Sequence, residues 1–198
     1  MTDQDGVPVS PDRDGSLVSP DGDGILITHM RPRHLPAVVD IEERTSHRPW
    51  STRLFRDELR MVTSRNYLVA VRDHLVLGFC GLMINPDEGH ITTISVHPDH
   101  RRGAIATRLL LVQLREAIER GVDAVTLEVR ITNRAAQDLY RRFGFAPGGI
   151  RRNYYQDIRE DALIMWAHDL DSPESIGRMA AIEAALPVPL VEEVSLGG

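Results

Sequence analysis

From residue 25 onward, apolar and polar positions follow the periods of strands and helices in turn. The stretch ILITHMR, beginning at Ile25, reads as a first strand. Leu35, Val38, Val39 and Ile41 form one apolar stripe and predict a helix over 33–45. Ser51 offers an N-cap for a second helix over 52–62, with Leu54, Phe55 and Leu59 turned inward. Residues 67–72 and 75–84 read as strands around a tight Asp73-His74 turn. After a polar turn at 85–89, residues 91–96 predict a fourth strand, which Pro98 ends. The clearest helix covers 104–120, with Ile105, Leu109, Leu110, Val112 and Leu114 apolar and Gly121 at the position past its end. A strand over 122–129 follows. Asn133 then caps a helix that runs to Phe143 and stops at Gly144, and 145–155 and 162–168 complete the strands. The order βααβββαβαββ is that of a mixed α/β (α+β) domain over residues 25–170.

The two ends differ in texture. Residues 1–24 hold a short repeat, VSPDRDG and VSPDGDG, and too few apolar side chains to bury. A disordered acidic tail is expected there. Its Asp-x-Asp-Gly pieces do not make a calcium loop, because the glycine comes too early and no glutamate closes twelve residues. Residues 171–198 read as a second acidic tail, in which SPESIGRMAAIEAALP can form one short amphipathic helix and LPVPLVEEVSLGG is expected to be loose.

Length and charge narrow the functions open to this chain. With 198 residues and 42% hydrophobic content it holds one domain with a proper core. The net charge of -6 divides into -5 over residues 1–24, +3 over 25–170 and -4 over 171–198. A mildly basic body suits a small anionic ligand and is too weakly charged to argue for direct nucleic-acid binding. All 23 basic residues are arginine. No apolar run reaches the ~18 residues of a membrane span, and the N-terminus shows no basic-then-apolar leader. Cys80, the one cysteine, sits in the apolar run LVLGFCGLMI and is expected to be a buried structural thiol, which fits a reducing, cytoplasmic setting. His97 and His100 have no partner at metal-ligand spacing, and no Cys/His cluster suggests a metal.

The candidate chemistry centres on HPDHRRGAIA at 97–106, between a strand and a helix. A short basic turn leading into a helix N-terminus is an anion site: successive free amides point outward, and the helix dipole adds partial positive charge. Small residues let a pyrophosphate approach the backbone, and Arg101 and Arg102 add charge.

At this point the sequence resembles the GNAT superfamily, whose members carry Arg/Gln-x-x-Gly-x-Gly/Ala here. Arg101 and Ala106 match, whereas Ala104 stands where glycine is usual and Gly103 sits one position early. If the backbone at 104 needs positive φ, alanine costs about 1 kcal/mol or more. Downstream, LEVRITNRAAQDLYRRFGF at 127–145 and GIRRNYY at 149–155 resemble the ribosomal-protein-alanine N-acetyltransferase (RimI) type, over roughly 25–168 in all.

The resemblance implies a GNAT fold: a mixed central sheet of about seven strands, splayed at the fourth and flanked by about four helices. It implies acetyl-CoA as co-substrate, no metal, and the N-terminal amine of a protein as acceptor, with the N-terminal alanine of a small-subunit ribosomal protein as the specific case. By the same resemblance Ile94, Ser95 and Val96 hold the pantetheine arm. Arg101, Arg102, Gly103, Ala104, Ile105, Ala106 and Thr107 surround the pyrophosphate, and Asn133 hydrogen-bonds the cofactor. Glu128 is the proton acceptor, Tyr140 the proton donor to the leaving thiolate, and Tyr154 and Tyr155 border the acceptor peptide.

The chemistry agrees with those roles. An amine attacks a thioester only when neutral, so a carboxylate can serve to remove its proton, and a phenol near pKa ~10 can protonate a departing thiolate near ~8.5. An α-amine near ~8 is about 3 kcal/mol easier to deprotonate at neutral pH than a lysine near ~10.4, which favours the N-terminus. Two alternatives stand beside this reading: acetylation of lysine side chains or small-molecule amines, and a non-catalytic acyl-CoA-binding module.

Overall fold

The computed structural model describes residues 24–86 and 88–194. The acidic repeat at 1–23 lies outside the described residues. The strands are β1 (Leu26–His29), β2 (Arg65–Arg72), β3 (Leu75–Ile84), β4 (Glu88–Val96), β5 (Ala124–Arg130), β6 (Ala146–Tyr155), β7 (Glu160–Ala167) and β8 (Val191–Glu193). The helices are α1 (Leu35–Thr45), α2 (Thr52–Glu58), α3 (Ile105–Glu119), α4 (Arg134–Arg142) and α5 (Pro173–Ala184). Among the described residues there are thus eight strands, one more than the sequence predicts, and five α-helices, the fifth being the short helix it allows after residue 171. None of these helices is long and apolar enough to cross a membrane.

All eight strands form one sheet in the order β6-β7-β5-β4-β3-β2-β1-β8. Side chains alternate across a strand, so each one serves two cores. Leu68 and Ala70 of β2 and Cys80 and Leu82 of β3 face α3, together with Leu109–Val112 and Leu114. Tyr67 and Val69 of β2 and Phe79 of β3 face the opposite side, where Leu35, Val38 and Ile41 of α1 and Phe55 of α2 cover them. Near the start of α3 this packing is tight: a Cβ on Gly78 would sit 2.7 Å from the Ser95 carbonyl oxygen and 3.1 Å from the Ile105 side chain. Cys80 is fully buried and free, as a structural thiol should be.

The predicted caps form. Ser51 accepts from the Leu54 amide at 3.3 Å, and Asn133 from the Ala136 amide at 3.2 Å. Gly121 and Gly144 stand past the ends of α3 and α4 at φ +77° and +90°. The second helix is shorter than its apolar spacing predicts and ends at Glu58. That carboxylate is drawn across to Arg65 Nε (2.6 Å) and the Tyr67 hydroxyl (2.9 Å). Leu54, expected to point inward, is 40% exposed.

The C-terminal segment forms the one short helix its sequence allows, as α5, and the stretch after it, expected to be loose, is part of the fold. Met179 and Ile182 of α5 pack into the α3-side core, and β8 pairs in parallel with β1 through Leu26↔Val191 and Thr28↔Glu193. The reason lies on α3. The buried guanidinium of Arg108 needs acceptors, and it finds the carbonyls of Val188 and Pro189 just before β8. Arg115 holds Glu183 from the same helix.

Candidate functional site

The site exists because β4 and β5 part. They pair in parallel only over Glu88–Ile91 against Ala124–Leu127. On the other side β4 follows β3 to its end, but its register jumps from Gly81↔Thr93 to Leu82↔Ile91, leaving Thr92 as the extra residue of a β-bulge. The bulge turns β4 away from β5. The β4 edge from Thr92 to Val96 therefore has no β5 partner, and a cleft of about 720 Å³ opens between Ile94–Val96 on one wall and Leu127–Arg130 on the other.

The turn at the cleft's head carries unusual backbone. Arg102 and Ala104 are left-handed, with φ +65° and +57°. Gly103, by contrast, is outside the left-handed region, and a Cβ there would make only ordinary contacts, the nearest at 3.5 Å. The glycine thus stands where none is required, and the alanine stands where glycine would relieve strain. Ala104 is also the N-cap of α3, without a capping side chain. The first bond entering that helix runs from the Arg108 amide to the Ala104 carbonyl at 3.0 Å. Among the described residues no protein acceptor takes the amides of 102–107. Arg101 and Ala106 line the cleft. The side chains of Ile105 and Thr107 are buried, which leaves their amides as the groups they can offer.

The sequence-predicted pair at 128 and 140 faces one space. Glu128, two residues from the end of β5, lines the cleft with its side chain 8% exposed. Its Oε2 lies 3.1 Å from His90 Nε2 and its Oε1 2.9 Å from Arg151 Nη1. The hydrogen bond from His90 is the largest influence holding its carboxyl below the usual range; burial opposes it, and Arg151 adds to it. Tyr140, on the inner face of α4, lines the cleft from the other side, with its ring 5.7 Å from Phe145. Burial pushes its phenol upward, so it stays protonated at neutral pH. Asn133 caps α4 and borders the same space.

The remaining predicted residues line the mouth. Tyr154 and Tyr155, at the end of β6, meet edge to face at 5.1 Å, and Arg151 stacks over the Tyr154 ring at 5.2 Å. Burial pushes the Tyr155 phenol up to about 12. Opposite them, the segment after α1 contributes His47, whose Nε2 is 3.4 Å from Arg130 Nη1.

Three residues of the site escaped sequence reasoning: His90, Arg151 and Glu42. His90 pairs with Thr126 across the parallel ladder, one same-face step from Glu128, so only the register of two strands distant in sequence brings them together. Arg151 reaches Glu128 through the sheet order β6-β7-β5. Glu42 is 5% exposed on α1 and accepts from the Trp50 amide at 3.4 Å, so burial, the larger effect, raises its carboxyl. An acidic residue in an apolar stripe was the available signal for it. Among the described residues no group of three or more His, Cys, Asp or Glu side chains is placed to hold a metal ion.

A parted pair of parallel strands, free amides at a helix N-terminus below the gap and an acid and a phenol across it define an acyltransferase architecture. The sequence pattern of the Acetyltransferase (GNAT) family matches residues 35–145, and the chain belongs to that family. It is 38% identical over 140 residues to the putative [ribosomal protein bS18]-alanine N-acetyltransferase of Bacillus subtilis, covering 71% of this chain and 93% of that protein. It is 36% identical over 143 residues to the [ribosomal protein bS18]-alanine N-acetyltransferase of Escherichia coli, covering 70% and 94%. The crystal structure of the Escherichia coli ribosomal-protein-S18-alanine N-acetyltransferase superposes with a TM-score of 0.67 at 33% identity, over 73% of this chain and 94% of that one.

Proposed function

We propose that this protein transfers the acetyl group of acetyl-CoA to the N-terminal α-amino group of a protein, with the N-terminal alanine of a small-subunit ribosomal protein as the acceptor. The observation that carries the reading is that Glu128 and Tyr140 line one cleft beside an unpaired stretch of β4. The relatives' activity on ribosomal protein bS18 supports the acceptor. A free, fully buried Cys80 favours a reducing, cytoplasmic setting.

The residues present fit acetyl-CoA. Free amides at 102–107 and the charges of Arg101 and Arg102 suit the pyrophosphate. The open edge of Ile94, Ser95 and Val96 suits the amides of the pantetheine arm, which would pair with it as a strand does. Asn133 offers a side-chain amide beside that arm. The cofactor supplies an activated acetyl group as a thioester. Glu128 anchors the proton-accepting side of the cleft, and Tyr140, held protonated by burial, gives a proton to the departing sulfur. Tyr154 and Tyr155 flank the entering peptide. A protein acceptor is favoured over a free small amine by the relatives' action on a ribosomal protein; the segment after α1 and the end of β6 line the part of the cleft where it would enter.

Acetyl-transfer kinetics with peptides beginning in alanine, serine or threonine, beside peptides whose only amine is an internal lysine, test this directly. Mass spectrometry should place the acetyl group on the α-nitrogen of the alanine peptide. Products confined to lysine or to free polyamines would overturn the acceptor assignment, and acetyl-CoA binding without thiol release would overturn the enzymatic one.

A further inference from the structure

Glu128 is poorly placed to take a proton from the acceptor itself. Both its oxygens are engaged, Oε1 by Arg151 and Oε2 by His90, and its side chain is only 8% exposed. Protonating it would weaken both of those charge-assisted hydrogen bonds in the same step. The imidazole beside it has no such handicap. His90 lines the cleft, its side chain is 24% exposed, and it stands one residue before the last pair that joins β4 to β5.

We propose that the group that takes the proton from the attacking amine is the imidazole of His90, and that Glu128 is the positioning residue that orients it. The inference rests on the acetyl-transfer reading above and sharpens it. With Nε2 at 3.1 Å from a carboxylate oxygen, the ring proton resides on Nε2 and the lone pair on Nδ1. As the amine nitrogen forms its bond to the thioester carbonyl carbon, its proton passes to Nδ1, directly or through one water. The carbon–sulfur bond then breaks with its electron pair on sulfur, which takes the Tyr140 hydroxyl proton. The imidazolium returns its proton to solvent, and the phenolate regains one. The products are an amide and a free thiol.

Glu128 stabilises the imidazolium while it lasts, as a carboxylate does for histidine in hydrolytic triads. Arg151 keeps that carboxylate ionised and fixed from the β6 side. Beside Tyr140, the other charged or titratable side chains lining the cleft are Glu42, His47, Arg48, Arg101, Arg130, Tyr154, Tyr155 and Asp157. Among the described residues, Glu128 is the one within hydrogen-bonding distance of the ring.

The test compares His90→Gln with Glu128→Gln, using whichever amine the unaltered protein acetylates, so that the acceptor's identity is settled separately. His90→Gln should lose about 100-fold or more in kcat with little change in the KM for acetyl-CoA, and the acidic limb of its pH–rate profile should vanish. Glu128→Gln keeps a neutral partner for the ring, so its loss should be smaller and its acidic limb retained. Calorimetric binding of CoA to each variant checks that the cleft is intact. Nitrogen-15 NMR of the unaltered protein, which needs no variant, should show His90 as the Nε2–H tautomer. The proposal is overturned if Glu128→Gln is the more damaged, if His90→Gln stays within about threefold of the unaltered enzyme, or if the resting tautomer carries its proton on Nδ1.

Discussion

The guanidinium of Arg108, buried beside the first turn of α3, donates from Nη1 to the carbonyl oxygen of Pro189 at 3.1 Å, 81 residues further along the chain. A second donation reaches the Val188 carbonyl, so one side chain fixes the segment that leads into β8. Removing the guanidinium takes a charged donor from two carbonyls and leaves its buried stem's space unfilled, at about 2–3 kcal/mol. Arg108→Ala should therefore lower the unfolding free energy by about that much and raise amide exchange through β8 and α5. Ending the chain after Leu186 should be costly with Arg108 present and far less so in an Arg108→Met background. Chemical denaturation of the four proteins measures the difference.

Glu116 sets a pH dependence of stability. It is 3% exposed on α3, where burial pushes its carboxyl up to about 7, against the opposing influence of Arg120 and a 2.6 Å hydrogen bond from Asn66. A carboxyl whose folded value lies above its unfolded one favours folding while protonated, and that contribution is lost as pH rises through the folded value. Stability should fall between about pH 4.5 and 7 from this group, by up to about 3 kcal/mol. Glu116→Gln, which holds the neutral form, should remove that fall, so that its stability relative to the unaltered protein improves from pH 5 to pH 8. Thermal melts across that range read it out.

Ala104 stores backbone strain at the head of the cleft, at φ +57° and ψ +17°. Left-handed conformation costs an L-residue about 1–2 kcal/mol, of which a more flexible unfolded chain returns part when glycine replaces it. Ala104→Gly should stabilise the protein by about 1 kcal/mol and tighten acetyl-CoA binding, since it also removes a methyl from the anion turn. Gly103→Ala, where no positive φ is needed, should be nearly neutral for stability. Melting temperatures and calorimetric affinities for the two variants check the contrast.

Tyr140→Phe separates packing from chemistry. The ring is 4% exposed against Phe145, and phenylalanine preserves that contact. Unfolding should shift by less than about 1 kcal/mol, while kcat falls about 100-fold with the KM for acetyl-CoA little changed. Steady-state kinetics with an alanine-initiated peptide gives both numbers.

Much of this architecture was legible before any coordinates. Local signals carried it: Ser51 and Asn133 cap the helices their patterns predict, Gly121 and Gly144 end theirs, and Leu109, Leu110, Val112 and Leu114 mark the buried face of α3. The grouping of Glu128 with Tyr140 around one cleft was legible through the family resemblance rather than from spacing. What stayed hidden depends on partners far along the chain. The three residues of β8 carry no convincing strand pattern; they pair with β1 because Arg108 delivers them there. His90 looks like any strand histidine until the parallel register puts it beside Thr126 and hence Glu128. The early end of α2 follows from Glu58 serving Arg65 and Tyr67, contacts that helical periodicity does not encode.

The divergence of β4 from β5 also bears on how the enzyme is held together. The half of the sheet running from β8 to β4 and the half made of β5, β7 and β6 share only four registered residue pairs, Glu88–Ile91 with Ala124–Leu127. A bound pantetheine arm would lie in the gap like the missing rung of a ladder and brace the two halves against each other. On the function proposed above, the co-substrate would double as a splint and leave the enzyme sturdiest when charged and ready for its acceptor.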